Sequence, residues 1–94
     1  MDSDEMLTAV HAIVDRNRTD NVREAAFRWA ASECRLDLGY YTQSAPTPDD
    51  AELCELSLAE ILGEFPGIKA ASTEQKEGLA PADMQVVYRK KEVR

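Results

Sequence analysis

The chain has 94 residues, 44% of them apolar, which supports one modest core and is too apolar for a wholly disordered chain. Against 11 bases stand 18 acids, a formal charge of −7 that repels phosphate and disfavours direct binding of nucleic acid. Two cysteines are too few for a disulfide-built secreted scaffold, the N-terminus is acidic where a signal peptide is basic, and no apolar run approaches the roughly 18 residues of a membrane span. The expectation is one soluble, cytoplasmic domain over residues 1–94.

In chain order, Met6, Leu7, Val10, Ile13 and Val14 recur at helical spacing and predict a first helix over about 4–17. Ser3 is placed to cap it, with Asp4 and Glu5 against the positive end of its dipole. His11 falls at the edge of the apolar stripe.

Asn21 followed three residues later by Glu24 fits a capping box, which predicts a second helix over about 21–36. Val22, Ala25, Ala26, Trp29 and Ala30 would form one face, and Phe27, Ala31 and Cys34 a second. A helix apolar over most of its circumference is the central one. Leu36 to Thr42 alternates weakly and reads as a short strand, or as a loop begun by Gly39. Pro46 and Pro48 mark a loop, after which Asp49 or Asp50 caps a third helix over about 50–65, stopped by Pro66 and Gly67.

Beyond Gly67 the pattern weakens. Ser72 to Lys76 reads as a helical turn ended by Gly78, and residues 84–88, with Val86, Val87 and Tyr88, as a short strand. Arg89, Lys90, Lys91 and Arg94 make the end basic. The fold expected from these elements is a mostly α, three-helix bundle with an irregular C-terminal third.

The functional signal lies in the third helix. Cys54, Leu58, Ile61, Leu62 and Phe65 gather on a core-facing stripe, while Glu52, Glu60 and Glu64 lie on the far side with Leu53 and Leu56 among them. Between Arg35 and Lys69 the chain carries Asp37, Asp49, Asp50, Glu52, Glu55, Glu60 and Glu64 and no base, so the whole net charge sits on that segment. Leucines framed by carboxylates suit a docking face for a basic partner, though a charge run is equally a solvated helix face. The residues assigned to partner binding are Glu52, Leu53, Leu56, Glu60 and Glu64, with Tyr41 from the adjoining aromatic pair.

Catalytic and cofactor signatures are missing from this reading. His11 is the only histidine and has no orienting partner, Cys34 and Cys54 read as small hydrophobes, the glycines form no phosphate loop, and metal ligands lack their usual close pairing. The expectation is therefore no enzyme, no cofactor and no metal. It is a non-catalytic adaptor, immunity or inhibitor protein that occupies a basic surface through its acidic helix, in its sharpest form as a nucleic-acid mimic. The alternative is a self-assembling subunit whose basic tail meets the acidic helix of a neighbouring copy.

Overall fold

Helix α1, Ser3–Arg16, forms where the first apolar stripe predicts it, with Met6, Val10, Ile13 and Val14 buried. The structure, a computed structural model, describes residues 3–91; the side chain of Ser3, the cap assigned to it, and Arg94 lie outside the described residues.

The central helix expected over 21–36 is instead a β-hairpin. Strand β1, Val22–Ala30, pairs antiparallel with β2, Arg35–Thr42, from Val22 opposite Thr42 to Ala30 opposite Arg35. Alternate residues Ala25, Phe27 and Trp29 of β1, and Leu36, Leu38 and Tyr40 of β2, join the core. The helical reading fails because the other face is covered too. Ala26, Gly39 and Tyr41 are buried on it, so burial hides the period of two and leaves a run that looks apolar all round. Alanine's helix propensity, a few tenths of a kcal/mol over most residues, yields to this packing. Asn21 and Glu24 form no capping box. Asn21 donates to Asp50 at 2.9 Å, and Glu24 accepts from the Ala80 amide at 2.9 Å and from Arg89 at 2.7 Å.

Helix α2, Pro48–Glu64, is the expected third helix begun two residues earlier. Its cap is Thr47: the hydroxyl accepts from the Asp50 amide, and the Asp50 carboxylate accepts from the Thr47 amide, a reciprocal capping box with Pro48 in the first turn. Cys54, Ser57, Leu58 and Ile61 face inward.

The C-terminal third is not irregular. Strand β3, Ala70–Glu77, runs parallel to β2, with Arg35 opposite Ala70 and Thr42 opposite Glu77. The helical turn expected at Ser72–Lys76 is thus part of a strand, and α2 is the long crossover that a parallel pair requires. Strand β4, Gln85–Arg89, agrees with the short strand expected at 84–88 and pairs antiparallel with β1.

The sheet order is β3-β2-β1-β4, and the whole is an α+β fold, two helices against a four-stranded sheet, and not a helical bundle. α2 packs on β2 and β3, and α1 on α2 and β4, so both helices share one face. Across the other face runs the 78–84 segment. Gly78, at φ 119°, turns the chain out of β3, and Asp83 then reaches Arg28 at 2.6 Å. Met84 brings its sulfur to 3.1 Å from the Tyr41 hydroxyl.

Candidate partner-binding surface

The capping box at Thr47 fixes where α2 starts and hence which residues face outward. Asp50 is fully buried behind it and also accepts from Thr19 at 2.5 Å and from Asn21. Burial alone would raise its pKa, but these donors outweigh burial and hold the carboxyl below the usual range. The network ties the α1–β1 connection to the start of α2. At the other end of that connection the buried Tyr40 hydroxyl donates to the Asn17 carbonyl. Since its proton is used there, Ser57, at 2.7 Å, donates to Tyr40.

With these anchors set, Glu52, Leu56, Ala59 and Gly63 fall at i, i+4, i+7 and i+11 and make one exposed line along α2. Leu56 is 46% exposed, one of two exposed large apolar side chains among the described residues, the other being Leu79 at 64%. Asp49, Glu52 and Glu64 are exposed and form no hydrogen bond or ion pair with other described residues. The remaining assigned residues behave differently. Leu53 is half-buried and packs against the core. Glu60 accepts from Arg16 at 2.6 Å and from the Asn17 amide, and hydrogen bonding to Arg16 holds its carboxyl below the usual range.

Tyr41 is elsewhere altogether. It is fully buried on the opposite face of the sheet, where its hydroxyl donates to Glu74 at 3.0 Å, and burial pushes the phenol well above its ordinary pKa. The structure therefore exposes Glu52 and Leu56 on one line, leaves Glu64 exposed about a third of a turn away at the end of α2, turns Glu60 toward Arg16 and Asn17, half-buries Leu53 and excludes Tyr41. Ala59 and Gly63, which give the face its low relief, were missed from sequence; their i+3 and i+7 spacing from Leu56 was the available signal.

Among the described residues, no group of three or more His, Cys, Asp or Glu side chains is placed to hold a metal ion. None of their helices is long and apolar enough to cross a membrane. His11 donates from Nδ1 to the Val87 carbonyl at 2.5 Å, since a carbonyl can only accept. Cys54 lies buried, and burial pushes its thiol up to about 12, while Cys34 occupies the hairpin turn at φ 48°.

In fold, the chain resembles two MamM CTD structures. One, a histidine-to-alanine variant, has a TM-score of 0.55 and 16% identity, over 83% of this chain and all of its own (100%). The other, a copper form, has a TM-score of 0.54 and 15% identity, over 82% of this chain and 87% of its own. At such identities the likeness concerns architecture alone. No protein-family model matches the chain, and no curated protein does so.

Proposed function

We propose that this domain is a non-catalytic binding module that docks a basic partner on the outward face of α2. One observation carries the reading: Leu56 stands exposed on a low-relief line with Ala59 and Gly63, bordered by the unengaged carboxylates Asp49, Glu52 and Glu64. An apolar anchor contributes affinity when desolvated, and rim carboxylates steer a cationic surface and select it. Asp50 and Glu60 are engaged inside the fold, so the nucleic-acid mimic version of the reading loses support.

The test is affinity capture by the native chain and by Leu56→Lys and Glu52→Lys/Glu64→Lys variants in parallel, followed by kinetics on whatever the native chain holds. Leu56→Lys should abolish capture by placing a cation at the anchor. The double variant should slow association and flatten its salt dependence. Glu60→Lys is a different perturbation. It removes the acceptor of Arg16 and Asn17, so it should lower the melting temperature where Glu64→Lys does not. Equal capture by the native chain and by a folded Leu56→Lys variant would end the proposal. In the alternative reading the partner is a second copy, and light scattering would then give a defined oligomer from the purified chain alone.

A further inference from the structure

Of the basic C-terminal residues, Arg89 and Lys90 are tied to the fold. Pairing of β4 with β1 places Arg89 beside Glu24, and Lys90 donates to the Asp20 carbonyl at 2.7 Å. Between this strand and α1 opens a shallow groove of about 680 Å³. His11, Asp15, Arg18, Tyr88, Arg89 and Lys91 line it. In a chain of net charge −7, Arg18 and Lys91 stand here against one lining acid, Asp15, while Arg89 is paired with Glu24.

Arg18 is the unusual member. Its guanidinium lies over the Tyr88 ring, 4.0 Å from the centroid, an arrangement that holds the fork in place. Asp15 reaches one Nη at 3.5 Å, a loose contact, and the buried Nε has no hydrogen-bond partner among the described residues. Lys91 makes no ion pair with other described residues. Arg89 stays 69% exposed although it is paired with Glu24. His11 directs its Nδ1 proton to Val87 and leaves Nε2 without a described partner.

We propose that the α1–β4 groove is a binding site for a small, multiply charged oxyanion of the phosphate or carboxylate type, held by Arg18 on its Tyr88 platform with Lys91 and Arg89 closing the rim. A planar guanidinium fixed by stacking is suited to pair with such oxygens, and Lys91 adds a mobile point charge. The size of the ligand follows from the rest of the surface. A polyanion or an anionic membrane would extend beyond the groove and meet the excess of carboxylates, whereas a compact anion would not. This site is separate from the α2 face and does not depend on it.

The probes are inorganic pyrophosphate and citrate, titrated into the ¹⁵N-labelled full chain at constant ionic strength. Saturable shifts are expected at the Arg18 Nε–H and at the amides of Val87 and Tyr88, with α2 signals unmoved. Arg18→Gln and Lys91→Gln should each weaken binding by about tenfold or more, as loss of a charge-assisted hydrogen bond does. Lys91 is exposed, so its variant tests the site even if Arg18→Gln disturbs the fold. Linear, unsaturable shifts spread over the lysines, or unchanged affinity in a folded Lys91→Gln variant, would overturn the proposal. So would binding to phosphatidylglycerol vesicles as strong as to the soluble probes, since that would make the ligand a surface.

Discussion

Gly39 is the position where a single methyl group should do the most damage. A Cβ built there would lie 2.3 Å from the Tyr41 hydroxyl oxygen and 2.6 Å from two ring carbons, because the ring lies across the glycine on the outer face of β2. Gly39→Ala must therefore drive out a fully buried tyrosine. A ring of this size covers about 150 Å² or more, and at about 25 cal/mol per Å² its exposure costs about 3 to 4 kcal/mol. A domain of this size has a total stability of roughly 5 to 15 kcal/mol, so the loss is large and measurable. Urea unfolding followed by Trp29 fluorescence and circular dichroism gives the number. The decisive comparison is Gly39→Ala in a Tyr41→Ala background, where the space is empty and the substitution should cost less than about 1 kcal/mol. Equal costs in the two backgrounds would refute the reasoning, and the glycine would then be needed for its backbone and not for the ring above it.

Two further expectations rest on buried groups. The pKa of Asp50 is depressed in the folded state, so its contribution is present above the unfolded value of about 3.9 and is lost as pH falls through the folded one. The melting temperature should drop on acidification from pH 5 toward pH 2, and Asp50→Asn, which costs about 1 to 3 kcal/mol at pH 7, should make that drop shallower. Glu24 keeps part of the slope, because donors from Ala80 and Arg89 outweigh its burial and depress its carboxyl too; parallel curves for the native and Asp50→Asn chains would contradict the assignment. Of the two thiols, Cys34 should react with Ellman's reagent in the folded protein, and Cys54, buried and raised to about 12, only as the chain unfolds. Two equally fast thiols would mean that α2 is not seated on the sheet.

What the sequence made legible were the elements buried on one side only. In α1 and α2 a single apolar stripe faces the sheet, and the helical period survives in Val10, Ile13 and Val14 and in Cys54, Leu58 and Ile61. The hairpin was misread because both its faces are covered, by helices on one side and by the 78–84 segment on the other, and that segment's placement is not written locally in Ala25–Ala31. β3 was hidden for the opposite reason. Ala-Ala-Ser-Thr-Glu-Gln-Lys-Glu has one β-branched residue and no alternation, and it is a strand because β2 offers it a parallel edge. The start of α2 is readable only approximately: the sequence assigns the cap to Asp49 or Asp50, whereas Thr47 is the cap and Asp50, three residues on, is its reciprocal acceptor inside the helix. Of the residues assigned to the candidate surface, Glu52, Leu56 and Glu64 are exposed on α2, while the partners of Glu60 come from α1 and the β2 position of Tyr41 depends on the whole sheet.

The segregation of charge along the sequence is mostly undone in space. Asp37, acidic in a base-free stretch, lies on β2 beside Arg35 at 3.0 Å and Arg28 at 3.7 Å, and accepts from Ser72 at 2.6 Å. Asp50 is internal, Glu55 accepts from Thr73, and Glu60 from Arg16. Folding thus leaves Asp49, Glu52 and Glu64 of the original seven without a described partner, all on α2. Arg18, Arg89 and Lys91 collect at the opposite edge of the sheet, beyond α1 and β4. If α2 docks a cationic partner and the α1–β4 groove a compact anion, as proposed, the two surfaces should respond to charge reversal independently. Glu52→Lys/Glu64→Lys should leave pyrophosphate titration at Arg18 unchanged beyond the small gain expected from a less negative chain, and Lys91→Gln should leave partner association at α2 as fast as before.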